Sequence, residues 1–296
     1  MHHDAIIIGG SFAGLSAAMY IARARRSVRI IDAGLPRNRF AAQSHGFFGQ
    51  DGSEPGAMLD KARAQVAAYP TVRITDGRAL SANKNEDGFA VTLESGEQLQ
   101  ASRMVLAYGI SDELPALPGL AERWGHTVIH CPYCHGFEFG GRRLGVLYST
   151  PMSLHQAHLV TEWGPTTLYL NGAELDPAAA ANLQARGVRI EPARLISLHG
   201  EGKGLSAMEL ADGRMDPIDA LFVGPLMRAN SDIADQLGCA MDDHPLGQII
   251  HTDEMKQTSV PGVFAAGDIA RGAHSVTWAS ADGVMAGVAL HRSLVF

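Results

Sequence analysis

Ala5-Ile6-Ile7-Ile8-Gly9-Gly10-Ser11-Phe12-Ala13-Gly14 is the stretch that decides the fold. Its four consecutive apolar residues suit a parallel strand buried on both faces. A glycine-rich turn follows, then an alanine-rich helix running to about Arg25, and a second strand, Val28-Arg29-Ile30-Ile31, ends at Asp32. Strand, glycine turn, helix and a second strand ending in an acid make the βαβ pattern of a dinucleotide site. Free N–H groups at the helix start can hold a pyrophosphate, and Asp32 can accept a hydrogen bond from a ribose hydroxyl. Ser11 stands where Gly-x-Gly-x-x-Gly has its middle glycine, so the backbone is slightly more crowded there. A glycine turn alone also serves plain strand–helix packing, but here the flanking strands and Asp32 agree. Gly9, Gly10, Ser11, Gly14 and Asp32 are the candidate contacts.

Two later segments belong with this opening. Met104-Val105-Leu106-Ala107-Tyr108-Gly109 reads as a strand running into a turn, and Gly109 joins the candidates. Gly262-Val263-Phe264-Ala265-Ala266-Gly267-Asp268 reads as a short buried strand ending in Gly267 and Asp268. An Asp there can bond a hydroxyl of an extended cofactor; the plainer reading is a turn with an N-cap. The helix expected after it, roughly Thr277 to Arg292, is rich in small residues, and its positive N-terminal end can face an anionic part of such a cofactor.

Between these halves lies an insertion. Leu114-Pro115-Ala116-Leu117-Pro118-Gly119 has the composition of a linker. A second strand–loop–helix unit begins at Leu144-Gly145-Val146-Leu147-Tyr148. Further strands are expected at Thr167–Leu170, Val188–Ile190, Gly204–Leu210 and Ala220–Val223, with a helix near Asp176–Arg186. The expected fold is α/β, with two doubly wound Rossmann-like domains. The second, residues 113–246, is inserted into the first, residues 1–112 plus 247–296.

Composition bounds the function. A 46% hydrophobic content and 33 glycines in 296 residues describe a globular α/β protein. The net charge of −7 argues against nucleic-acid binding. No apolar run approaches the roughly 20 residues of a membrane span. With no apolar leader before Asp4 and only three cysteines, a cytoplasmic location is expected. The His2-His3 pair carries no assigned function.

Two of those cysteines form Cys131-Pro132-Tyr133-Cys134, flanked by His130 and His135. A tetrahedral zinc site needs four ligands; there is no second Cys-x-x-Cys, although His126, His130 and His135 could supply nitrogens. A structural disulfide suits an oxidising compartment. In an α/β chain a Cys-x-x-Cys pair reads first as a redox motif, because a neighbouring imidazole can lower a thiol pKa and hold the thiolate. No metal is expected. His135 is the candidate base and thiolate partner because an imidazole titrates near neutral pH, with His130 as the alternative and Glu138 as a group that could orient His135. Cys239, in Leu237-Gly238-Cys239-Ala240, has no basic neighbour and reads as structural.

Taken in order, Gly-Gly-x-x-Ala-Gly, the Ala-x-Gly before a Pro-Gly link, the mid-chain Cys-x-x-Cys and the late Gly-Val-Phe-Ala-Ala-Gly-Asp resemble the low-molecular-weight thioredoxin reductases. These are FAD-dependent pyridine nucleotide-disulfide oxidoreductases, and the resemblance covers nearly the whole chain. It implies FAD in the split domain, a redox disulfide in the inserted one and a homodimer. By motif position it makes Cys134 the flavin-facing thiol and Cys131 the outer one.

Two features depart from that pattern. Where those reductases carry a second glycine fingerprint for NADPH, this chain has Tyr148-Ser149-Thr150-Pro151-Met152-Ser153-Leu154, without a glycine. The next strand ends Asn171-Gly172-Ala173-Glu174, with no arginine for a 2′-phosphate. Without glycine the backbone cannot closely approach a pyrophosphate, and Pro151 removes an N–H donor, which argues against tight NADPH binding there. Second, His135 replaces the usual Asp after the second cysteine. Cys-Pro-x-Cys-His-Gly resembles the dithiol oxidases related to gliotoxin and holomycin biosynthesis, which implies closure of a substrate disulfide with electrons passing through FAD to oxygen. The expected partner is a small-molecule dithiol or disulfide, or a thioredoxin-like protein. A thioredoxin-disulfide reductase using NADPH or another donor is the first alternative, and a non-enzymatic flavin redox sensor the second.

Overall fold

The computed structural model describes residues 2–296. The first unit runs β1 (His2–Ile8), α1 (Phe12–Arg23), β2 (Val28–Asp32), α2 (Pro55–Ala67), β3 (Val72–Asp76), β4 (Ala79–Asn85), β5 (Gly88–Leu93) and β6 (Gln98–Leu106). β1 lies between β2 and β6, both parallel to it, with Ala5 opposite Val28 and Arg103. Its Ile6 and Ile7 are fully buried, one in the core on each face of the sheet. Each such side chain contributes about 1.5–3 kcal/mol relative to exposure. The β4–β5 hairpin, which sequence reading did not anticipate, pairs antiparallel with the first half of β6, Phe89 opposite Ala101.

The chain then leaves through β7 (Ile110–Glu113) into the second unit. This runs β8 (Val128–Ile129), α3 (Pro132–His135), β9 (Leu144–Leu147), α4 (Met152–Val160), β10 (Thr166–Tyr169), α5 (Pro177–Ala185), β11 (Arg189–Glu191), β12 (Leu195–His199), β13 (Ala207–Leu210), β14 (Met215–Pro217) and β15 (Ala220–Val223). Its parallel sheet has the order β11-β10-β9-β15-β8, and β12, β13 and β14 form a separate antiparallel sheet. Along β9, Val146 enters one core with Leu168 and Phe222, and Leu147 enters another with Leu120 and Leu221. That alternation is what a strand covered on both faces requires.

The return crossing is β16 (Leu226–Ala229), antiparallel to β7 with Leu226 opposite Glu113 and Ala229 opposite Ile110. After it come α6 (Ile233–Leu237), β17 (Met241–His244), β18 (Gly247–Ile250), β19 (Val263–Ala265) and α7 (Val276–Val295). The expected boundary between residues 246 and 247 is corrected here. Ile233, Ala234, Cys239 and Leu246 share a core with Ile6, Ile8 and Met104, so the inserted unit ends before β16. No shift of composition marks that crossing, and only tertiary packing assigns α6 and β17 to the first unit. β19 then lies along the second half of β6, Phe264 opposite Val105. The small residues of α7 let it lie on α1: a Cβ on Gly283 would sit 2.1 Å from Ala13 O, and one on Gly287 would sit 2.7 Å from Ala17 O.

Candidate active site

A cleft of about 630 Å³ opens between the two units. Gly9, Gly10, Ser11, Asp32, Gly109, Gly267 and Asp268 line it from the first unit, and Cys131, Cys134 and His135 from the second. Gly14 does not reach the cleft. Its missing side chain lets α1 sit on the end of β1, since a Cβ there would lie 1.8 Å from Gly9 O.

The floor of the cleft is built from backbone. Gly9, at φ 113°, passes so close to Ala107 that a Cβ would lie 2.1 Å from its carbonyl oxygen, and a Cβ on Gly10 would lie 2.5 Å from Asp32 Cγ. Ser11 is the N-cap of α1, yet its hydroxyl takes no capping bond, leaving it and the helix's first N–H groups toward the cleft. Asp32 accepts the Gly34 N–H at 3.1 Å and Arg63 Nη1 at 2.8 Å, and Arg63 also pairs with Asp76. A helix N-terminus, a glycine floor and an acid at the end of β2 are the features a dinucleotide needs.

Sequence reading missed Arg37, whose basic side chain had no motif around it. It sits in the 3-10 turn Arg37–Phe40 and binds Asp112 in a fork, Nε to Oδ2 at 2.9 Å and Nη2 to Oδ1 at 2.5 Å. Its Nη1 donates to Asp268 Oδ2 at 3.0 Å. Burial works against its charge, but the hydrogen bonds and charges of Asp112 and Asp268 outweigh it and raise its pKa. His274 was also missed. Its Nε2 donates to Arg271 O at 3.0 Å, while Nδ1 is buried without a partner in the wall of the cleft. That orphaned acceptor and the glycine floor fit a polar cofactor such as FAD.

Cys131 follows β8 and caps α3, with its Sγ accepting the Cys134 N–H at 3.1 Å. Cys131 and Cys134 form a disulfide, their Cα atoms 5.3 Å apart. His135 is the last residue of α3, and burial lowers its pKa against the opposing charge of Glu138. The orientation of His135 by Glu138 is corrected: Glu138 Oε1 lies 3.4 Å from His45 Nε2, and the His45 ring stands edge-on to His135, centroids 6.2 Å apart. His130 Nδ1 is 3.3 Å from Val223 O, and burial followed by the Arg37 charge lowers its pKa to about 4. His126 instead meets Lys203 Nζ at 2.7 Å. Cys239 is buried and free, its pKa raised by burial. Among the described residues no group of three or more His, Cys, Asp or Glu side chains is placed to hold a metal ion, and no helix is long and apolar enough to cross a membrane.

In the second unit, the turn between β9 and α4 is closed on itself. Ser153 Oγ accepts the N–H groups of Ser149 at 3.0 Å and Thr150 at 3.3 Å, while Ser149 Oγ donates to Gly224 O at 2.9 Å. These N–H groups belong to the loop that leads into that helix start, the place where a second nucleotide would be held. At the end of β11, Glu191 is paired with Arg214 and Arg189.

A family model for pyridine nucleotide-disulphide oxidoreductases matches residues 3–283. The thioredoxin reductase tcpT of Claviceps purpurea is 34% identical over 278 residues, spanning 90% of this chain and 86% of the relative. The thioredoxin reductase sirT of Leptosphaeria maculans is 32% identical over 303 residues, spanning 96% and 92%. Among solved structures, an oxidoreductase from Agrobacterium tumefaciens superposes with a TM-score of 0.95 at 47% identity, covering 100% of this chain and 99% of its own. The crystal structure of HlmI gives 0.94 at 36% identity, covering 99% and 93%. The chain belongs to the pyridine nucleotide-disulphide oxidoreductase family, as a thioredoxin reductase-like flavoprotein oxidoreductase acting on sulfur groups.

Proposed function

We propose that this protein is an FAD-dependent dithiol oxidase that closes a disulfide in its substrate and passes the two electrons to dioxygen. The observation that carries this reading is the turn before α4, where Ser153 takes up the N–H groups of Ser149 and Thr150. A pyrophosphate there would have to displace those bonds and would find no glycine to admit it. The electrons then come from the thiol side, and the Cys131-Pro132-Tyr133-Cys134-His135-Gly136 motif supports the same branch.

FAD, when bound, supplies a two-electron acceptor for the reduced cysteine pair and a donor to dioxygen. Gly9, Gly10, Ser11 and the start of α1 would hold its pyrophosphate, with Asp32, Gly109, Gly267 and Asp268 at its hydroxyls and ring end. The substrate's first thiolate attacks Cys131 Sγ, the Cys131–Cys134 bond breaks, and Cys134 leaves as a thiolate. His135, neutral near pH 7 because burial lowers its pKa, takes the proton of the second substrate thiol. That thiolate attacks the substrate sulfur of the mixed disulfide, releasing the substrate disulfide and leaving the protein pair reduced by two electrons.

The second reading is a thioredoxin-disulfide reductase, favoured by the names of the two relatives. Tyr133 and Phe137, beside the disulfide and strongly exposed, would then face a thioredoxin-like protein. Anaerobic mixing separates the two. A small dithiol should bleach the flavin absorbance readily and NADPH slowly or not at all. Faster bleaching by NADPH by a wide margin would replace the oxidase reading with the reductase one.

A further inference from the structure

Residues 40–53 of the first unit reach across to the redox segment of the second. The backbone of Phe40 lies on Gly125, where a Cβ would meet Phe40 Cβ at 2.7 Å and Phe40 C at 2.8 Å. Beyond Phe40 the chain closes a small loop. Ser44 N donates to Ser53 O at 2.8 Å, Gly52 N to Ser44 O at 2.9 Å and Gly46 N to Asp51 Oδ1 at 2.9 Å. Thr277 Oγ1, at the start of α7, donates to Gly46 O at 3.0 Å and anchors the loop to the first unit.

His45 sits at the neck of this loop. Its Nδ1 lies 3.5 Å from Asp51 on its own loop, and its Nε2 lies 3.4 Å from Glu138, three residues past His135 in the second unit. The same ring stands at 88° to His135. The imidazole is mostly buried, whereas both carboxylates reach water.

We propose that His45 is the clasp of an interdomain strap: it binds Glu138 and braces His135, holding the Cys131–Cys134 disulfide over the cleft. His45 is thus a positioning residue, acting through Glu138 and His135. The strap keeps one disulfide facing one cofactor site, which suits an enzyme that needs no second reductant to enter there. Its purpose rests on the dithiol-oxidase reading; its geometry does not.

Hydrogen exchange on the protein as purified, and again after FAD removal, tests the clasp apart from activity. The amides of Gly136 and Phe139, which donate to Pro132 O and Gly136 O, report the redox segment. His45→Ala should speed their exchange by about fivefold, the upper end of the scale for one solvent-reached polar contact, although the mutation lies in the other unit. Glu138→Gln should do the same from the opposite side, and Phe48→Ala, an exposed change in the same loop, should not. In dithiol turnover His45→Ala should lower kcat several-fold with KM and FAD content unchanged, and His45→Gln should recover part of the loss. Unchanged exchange at Gly136 and Phe139 in both His45→Ala and Glu138→Gln overturns the clasp while leaving the dithiol chemistry standing. If dithiols fail to bleach the flavin but exchange still responds, the oxidase reading falls and the clasp survives.

Discussion

Arg37 binds Asp112 through a two-bond fork, and Asp112 lies on β7, the strand by which the chain leaves the first unit. The third bond of the same guanidinium reaches Asp268, far along the sequence at the wall of the cleft. One cation therefore ties together the 3-10 turn, the crossing strand and the C-terminal part of the first unit. Asp112 has only 7% of its side chain exposed, so its charge relies on Arg37 rather than on water.

Removing Arg37 should for that reason cost more than losing a surface ion pair. Arg37→Met strands two carboxylates beside each other, a change of about 2–4 kcal/mol for a largely buried pair. The loss should appear in the urea midpoint of the FAD-free protein. Arg37→Met with Asp112→Asn should recover part of it, because one unpaired charge is gone. A single variant as stable as the parent would mean that water solvates Asp112 after all.

Asp268 offers a test of the cofactor site. Asp268→Ala should weaken FAD retention by roughly tenfold or more, the scale of a lost hydrogen bond to a charged acceptor. Asp87→Ala is the comparison, since Asp87 lies exposed in the turn between β4 and β5. Retention is read as flavin absorbance after dialysis. Equal retention in the two variants would remove Asp268 from the site.

The first unit was largely legible in the sequence because each element carried its own punctuation. Ile6 and Ile7 announced a buried strand, Gly9 and Gly10 the turn, and Asp32 the end of β2; the two glycines and Asp32 meet at one cleft. The redox pair was legible because two cysteines in a short motif have few alternative uses. Arg37, His45 and His274 were not legible. Each reaches the cleft from a loop with no periodic pattern, and each matters through partners more than ninety residues away or through burial that only the fold creates. The boundary near β16 failed for a related reason: β7 and β16 pair across the whole insertion, and nothing local to either strand says so.

The division of labour between the two thiols should be visible by spectroscopy. If Cys134 faces the flavin and Cys131 meets the substrate, Cys131→Ser should leave a Cys134 thiolate beside oxidised FAD and give a long-wavelength charge-transfer band. Cys134→Ser should lack the band yet trap a mixed disulfide with substrate at Cys131. His135→Ala should keep its FAD but lose rate most near neutral pH, where the burial-lowered pKa keeps the native imidazole unprotonated and able to accept a proton. In the native enzyme the rate should fall as acid protonates that imidazole. A band in Cys134→Ser instead would reverse the roles of the cysteines, and an unaltered pH–rate profile in His135→Ala would take the histidine out of the chemistry.

His130 should set part of the acid limit of stability. Burial and the nearby Arg37 charge lower its pKa from 6.5 to about 4. A group with a lowered folded-state pKa binds fewer protons folded than unfolded between those two values, so stability rises with pH across that window. Its contribution is complete above pH 6.5 and is lost as the pH falls toward 4. His130→Gln keeps a polar side chain that does not titrate, and should flatten the fall in urea-unfolding stability between pH 6.5 and 5 by roughly 1–2 kcal/mol. His3, His135 and His274 also have pKa values lowered first by burial, so the variant should keep a smaller slope of the same sign. Asp4 and Glu191, whose pKa values are lowered in the folded chain, lose their contribution in more acidic solution, which is why the comparison stops at pH 5. If His130→Gln shows the parent slope, protonation of His130 costs the fold nothing, and its ring must reach water despite its place between Val223 and Arg37.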